Sequence, residues 1–321
     1  MVRYLTETDV RAVATIADTI DLMATAFRDR AEGRAVDVPR RRTRQPAGHL
    51  HILQAASTAI DAIGFKYYYL GSAVRTTLVH LHRQSTGEFE AMIEADWLGI
   101  VRTAATTGLA TRLLAREDAK VVACFGTGRH AVHQLAAVAA VRRISEVRAV
   151  GRDAARCAAF CATVAKQLDV DARPAPSAAA ALHGADIVNV MTRASAPVFD
   201  GTLLEDGQHV NAAGGNALDR RELDVAAVRR CTTVVVDSRD VAREECGDLL
   251  AAVEAGVVQW DALPDLGDVL TGRRAGRASA RDVTLFESQG MALEDIYLAR
   301  RILTVARERN LGIELPIPPP R

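Results

Sequence analysis

The chain has 321 residues of ordinary globular composition, with 40 Lys plus Arg against 40 Asp plus Glu. A net charge of zero gives no field to draw in nucleic acid or an anionic membrane, and the length accommodates roughly two domains with buried cores. The opening Met1-Val-Arg-Tyr-Leu-Thr-Glu-Thr-Asp9 carries acids where a signal peptide needs an apolar core, and no run of about 18 apolar residues follows, so a cytoplasmic protein with small-molecule partners is expected.

Thr6-Glu-Thr-Asp9 has capping-box character, and Val10, Val13, Ile16, Ile20, Met23 and Phe27 follow at helical spacing, which predicts an opening helical segment up to Gly33. Arg40-Arg-Arg-Thr-Arg44 then forms a basic cluster between Pro39 and Pro46, read as an anion site or a solvated patch. Residues 49–54, 63–70 and 77–83 read as strands. Alternation in the second puts Ile63, Phe65, Tyr67 and Tyr69 on one face and Lys66 on the other, beside Gly64, Tyr68 and Leu70. Lys66 is therefore either a lysine snorkelling at a sheet edge or a cation aimed into a site.

His49, His51, His80 and His82 lie on these strands at i,i+2 spacing, and Cys157 and Cys161 lie i,i+4 on a predicted helix, but neither set has further ligands in register. Satisfied or exposed imidazoles, free thiols and no metal are expected. From Asp96 to Ala115 the pattern is helical, and Arg102 falls on the same stripe as Leu98, Leu109 and Leu113. A guanidinium on a buried face requires an anion, internal or bound.

After residue 116, strand-like runs at 120–125, 146–150, 186–191, 207–213 and 232–236 alternate with helical segments, predicting a mostly parallel sheet with helices on both faces. The first run enters Gly126-Thr-Gly-Arg-His-Ala131 and then a helix. Gly126 permits a tight turn, Gly128 admits a pyrophosphate, and the helix N-terminus offers N–H groups and a positive dipole end, so Gly126, Thr127, Gly128, Arg129, His130 and Ala131 form a candidate dinucleotide site. Thr192, Gly214, Gly215 and Asn216 stand at the ends of later strands, where a ligand of such a sheet lies. The second strand ends at Gly151 without the acid that would take a ribose 2′-hydroxyl; Arg152 suits a 2′-phosphate, so NADP(H) is favoured over NAD(H). Asp153 reads as the N-cap of the next helix, with the ribose as its alternative partner. Glu287-Ser-Gln-Gly290 closes the last strand-like run, a final helix covers 291–309, and Pro316 to Arg321 reads as an extended, mobile tail.

Eight segments in order, Gly64 to Tyr67, Val101 to Thr106, Gly126 to Ala131, Gly184 to Val188, His209 to Gly215, Arg220 to Leu223, Val235 to Arg239 and Thr284 to Ser288, resemble the ornithine cyclodeaminase and mu-crystallin family. The resemblance implies an α/β chain whose doubly wound, Rossmann-type parallel sheet occupies 116–290. It implies a second, α+β domain for substrate binding and dimerisation, formed by 1–115 with the C-terminal helix 291–321. It also implies a homodimer, an imino or amino acid substrate beside a carboxylate, Lys66 as the substrate lysine, Arg102 as the helix arginine and one carboxylate-binding arginine within the 40–44 cluster, taken as Arg42. Asn216 and Ser288 fall near the nicotinamide. Ornithine cyclodeaminase places an aspartate base where this chain has Asn216, and an amide takes no proton at neutral pH. The expected activity is therefore NADPH-dependent reduction of an α-imino carboxylate of the pyrroline- or piperideine-2-carboxylate type. The alternatives are an ornithine cyclodeaminase or alanine-type dehydrogenase, and an NADPH-loaded binding protein with little turnover.

Overall fold

The computed structural model describes residues 2–71 and 74–316, and the expected tail from Ile317 onward lies outside them. The chain divides into two units, Met1–Thr103 with Met291–Arg321, and Ala104–Gly290. The division expected after residue 115 therefore falls instead inside helix α3 (Asp96–Leu114). That helix has no single apolar stripe: residues 104–111 are buried without interruption, as in a helix enclosed on all sides, while Leu113 is half-buried.

The first unit is built on a seven-stranded sheet. Its strands are β1 (Val2–Leu5), β2 (Ala35–Gln45), β3 (Gly48–Ser57), β4 (Ala62–Gly71), β5 (Arg75–Arg83), β6 (Phe89–Glu94) and a C-terminal strand (Ile313–Leu315). Strands β2 to β6 form an antiparallel meander, and β1 joins it parallel to β6. The single opening helix becomes two, α1 (Glu7–Val13) and α2 (Ile16–Ala31). Ala14 leaves helical geometry and Thr15 caps the second helix on Asp18 N–H, a cap that the continuous apolar spacing conceals. The C-terminal helix (Ala292–Glu308) packs across β3, β4 and β5. Gly64 makes room for it, since a Cβ there would lie 3.0 Å from Ile296 Cδ1 and collide with the His80 carbonyl.

One irregularity decides what faces that helix. Val38 pairs with Gln54 and Arg41 with Ile52, so Pro39 and Arg40 together oppose Leu53 in a β-bulge. Ala35 and Asp37 are cross-strand from Ser57 and Ala55 on the inner face, and uninterrupted alternation would turn Pro39 and Arg41 inward after them. The extra residue shifts the parity: Arg40 is buried, Arg42 half-buried, and Arg41 and Thr43 exposed.

The second unit holds β7 (Val121–Phe125), β8 (Glu146–Val150), β9 (Asp171–Pro174), β10 (Ile187–Val190), β11 (His209–Ala212), β12 (Thr233–Val236) and β13 (Thr284–Glu287). The sheet is parallel in the order β12-β13-β11-β10-β7-β8-β9, which reverses direction between β7 and β10. Alternate residues feed two cores. Val122, Cys124, Val147 and Ala149 pack with Leu135 and Val138 of α4 (Arg129–Val141) and Phe160 of α5 (Ala154–Leu168), while Ala123, Phe125, Val188, Val210 and Leu285 join Leu204, Leu223 and Leu249. Both faces are covered, as in a doubly wound sheet. All five cysteines are free thiols, and among the described residues no helix is long and apolar enough to cross a membrane.

Candidate active site

On the inner face of the first unit's sheet, Lys66 is 4 % exposed and lies on β4 in the sheet interior, which excludes a snorkelling edge lysine. Its Nζ meets Asp295 Oδ2 at 2.6 Å. Arg102, also buried, reaches Glu294 Oε2 at 2.5 Å through Nη1 and Asp295 Oδ1 at 3.1 Å through Nε. Asp295 thus bridges the two cations that the sequence singles out, and the internal anion required for Arg102 is a pair of acids in the first turn of the C-terminal helix. There the helix dipole favours negative charge. The same turn is tied to β2 by Leu293 N–H, which donates to Asp37 Oδ1 at 2.8 Å.

Burial pushes the Lys66 ammonium down to about 8; the Arg102 and Arg40 charges push the same way, and Asp295 opposes them. Within the basic cluster, Arg40 is an arginine whose charge acts on Lys66. The Arg40 guanidinium lies 5.8 Å from the Tyr68 ring centroid, and Tyr68 stacks on His51 at 4.3 Å. Arg42 stands cross-strand from His51, one row further from Lys66. Burial and the Arg40 and Arg42 charges push His51 down to about 4, so its ring is neutral at physiological pH. His80 stacks against Phe65 and Phe89 on the opposite face.

In the second unit, β7 ends at Gly126, whose φ of +106° suits glycine alone and whose absent Cβ would collide with the Met191 carbonyl. Gly128 is the N-cap of α4. It contributes no side-chain hydrogen bond, and a Cβ there would meet nothing within 4 Å, leaving open space in front of the first helical turn. Ala131 is fully buried against the sheet, the close helix–strand packing that the third position of the motif requires. These features fit a dinucleotide pyrophosphate. At the end of β8, Arg152 is exposed, while Asp153 caps α5 by accepting from Arg156 N–H at 2.8 Å. The N-cap expected of Asp153 is formed.

The loops after β10, β11 and β13 carry the remaining candidates. Thr192 is half-buried and Asn216 exposed. Ser288 is buried, and its hydroxyl donates to Asp237 Oδ2 at 3.1 Å; the same oxygen accepts Gln289 N–H at 2.8 Å and Gly290 N–H at 2.7 Å. With its proton directed to Asp237, the Ser288 hydroxyl keeps its lone pairs as acceptors.

Sequence reasoning missed Glu294 and Asp295 because two acids at a helix start read as ordinary dipole partners. A signal existed: both precede Leu298 by three or four residues and so fall on the stripe of Leu298, Ala299 and Ile302 that buries the helix. The bulge at Pro39 had no such signal.

The family model described as ornithine cyclodeaminase/mu-crystallin family matches residues 2–310. A Delta(1)-pyrroline-2-carboxylate reductase of Bacillus cereus is 35% identical over 269 residues, covering 81% of this chain and 82% of that protein. Among solved structures, the Thermococcus litoralis Delta(1)-pyrroline-2-carboxylate reductase in complex with NADH and L-proline superposes with a TM-score of 0.92 at 27% identity, over 98% of this chain and 100% of that one. An archaeal alanine dehydrogenase dimer with bound NAD gives a TM-score of 0.91 at 26% identity, over 98% of each chain.

Proposed function

The chain belongs to the ornithine cyclodeaminase/mu-crystallin family, and on that premise we propose that it is an NADPH-dependent reductase of α-imino carboxylates, acting on cyclic ketimines of the pyrroline- or piperideine-2-carboxylate type. The observation that carries this reading is the buried cationic set of Lys66, Arg102 and Arg40, held in place by Glu294 and Asp295. Arg102 and Arg40 take the substrate carboxylate, for which a planar guanidinium offers paired donors. Lys66 faces the imine nitrogen and supplies the proton that leaves it an amine, with Asp295 steadying the ammonium. An ammonium with its pKa near 8 is both charged at neutral pH and able to release its proton.

Gly126 to Ala131 would hold the pyrophosphate, Arg152 the 2′-phosphate and Thr192 the later part of the cofactor, and Ser288 would accept from the carboxamide. When bound, the reduced nicotinamide supplies the hydride for the imine carbon. The preference for NADPH rests on Arg152 and on the engagement of Asp153 as a cap. Asn216 lies at the strand-end loop of the nicotinamide side and lacks the basicity that deamination of ornithine would demand. The reading extends to a cytoplasmic homodimer, whose second copy covers the apolar outer face of the first unit's sheet, where Val36, Ile52 and Ile63 are exposed. Oxidation of NADPH and NADH, followed over a panel of cyclic ketimine carboxylates and of keto acids with ammonia or methylamine, tests it. Turnover fastest with a cyclic ketimine is expected. Ammonia release from L-ornithine or L-alanine with NAD⁺ as the main activity would replace reduction by the cyclodeaminase or dehydrogenase reaction, and tight NADPH binding with no turnover would make the protein a carrier.

A further inference from the structure

Among the segments that carry the family resemblance, Arg220-Arg-Glu-Leu223 is one to which the proposed reaction assigns nothing. Its glutamate is 1 % exposed, and its carboxylate is met by the backbone of two strand-end loops. Thr192 donates to Glu222 Oε1 through both its N–H and its hydroxyl, at 2.6 Å each, and Gly214 N–H donates to Oε2 at 2.9 Å. Glu222 is itself fixed from behind, because its own N–H and that of Leu223 donate to Asp248 Oδ1, at 2.6 and 3.0 Å, on the helix Gly247–Glu254.

Three loops meet here with glycines at the points of contact. A Cβ on Gly214 would lie 2.5 Å from Glu222 Oε2 and collide with the Thr192 backbone, and a Cβ on Gly126 would lie 3.1 Å from Thr192 Cγ2. Thr192 is thus pinned between the glycine turn after β7 and the Gly214 loop after β11, at the place where the strand order reverses. We propose that Glu222 is a positioning residue for the cofactor. Its carboxylate clamps the loop after β10 to the loop after β11, and so fixes Thr192 and Asn216 relative to the pyrophosphate turn. The proposal rests on the dinucleotide reading above. Both carboxylate oxygens must accept, and an acceptor on each side is what an amide cannot provide.

The test compares two ligands on one protein: NADPH, and 2′-phospho-ADP-ribose, which shares the adenine end and the pyrophosphate but has no nicotinamide. Glu222→Gln keeps one acceptor and turns an NH₂ toward a loop N–H. It is expected to weaken NADPH about tenfold, the size of one buried hydrogen bond lost, while the fragment stays within twofold. Glu222→Asp keeps both acceptors but retracts them by one methylene; it is expected to fall between wild type and Glu222→Gln, and serves in its place if the glutamine variant does not fold. Equal weakening of both ligands, which a general loosening of the unit would cause, overturns the clamp, as does unchanged NADPH affinity in both variants. A wild-type chain that binds neither ligand overturns the dinucleotide reading itself.

Discussion

At the scale of single residues, the account turns on Lys66. Its folded pKa, near 8, lies below the ordinary lysine value of 10.5 because the ammonium is buried among guanidiniums. If the charged form is the proton source, kcat/KM for imine reduction is flat below about pH 8 and falls roughly tenfold per unit above it. A Lys66→Arg variant, charged at every accessible pH, loses that alkaline limb along with most of its rate. The same shift acts on stability. Between about pH 8 and 10.5 the unfolded chain binds the proton that the folded chain has released, so the Lys66 contribution to stability rises with pH through that window. Arg152 belongs to this scale too. Replacing it with alanine is expected to raise the KM for NADPH about tenfold and leave that for NADH within twofold, which steady-state titration of each cofactor measures.

At the scale of elements, the bulge in β2 sets which arginines join Lys66. Deleting Pro39 would remove the extra residue and leave Arg40 alone opposite Leu53, so Arg40 and Arg42 would keep the inner face in a regular strand. The expected result is a KM for the imino acid within about tenfold of wild type, whereas Arg40→Ala, which removes the guanidinium itself, raises it by about a hundredfold or more with NADPH affinity within twofold; an unchanged substrate KM in Arg40→Ala would show that Arg40 has no part in binding.

This element also marks the limit of what was legible in the sequence. The parallel strands of the second unit and the glycine turn could be read because period and glycine placement are local properties, whereas the grouping of Lys66 with Arg102 came only with the family resemblance. Arg40 was passed over in favour of Arg42 because side-chain parity through β2 depends on its pairing with β3. The strand itself was hidden by Pro39 and seven polar or charged residues, and β1 and β6 were hidden by their shortness and, in β6, by acids among its apolar residues. Glu222 was quoted in a motif, yet its partners lie 30 and 8 residues away and only the folded sheet joins them.

At the scale of the whole molecule, the first unit presents β-sheet surface that a soluble monomer rarely leaves bare. Ile52 and Ile63 are 39% and 44% exposed, beside Phe65 and Tyr67 on the face away from the C-terminal helix. A second copy covering this face predicts that Ile52→Lys with Ile63→Lys converts a dimer into a monomer by light scattering. A wild-type monomer at micromolar concentration would contradict it.

The central claim is that Lys66, set among Arg102, Arg40, Glu294 and Asp295, handles the imine while the second unit holds the cofactor. The most direct measurement takes Lys66→Ala and wild type, determines NADPH affinity for both, and then follows NADPH oxidation with a cyclic ketimine carboxylate. The account predicts matched NADPH affinities and a loss of kcat/KM on the order of a hundredfold or more, the range of general acid catalysis. A Lys66→Ala enzyme that reduces the ketimine at the wild-type rate would contradict it.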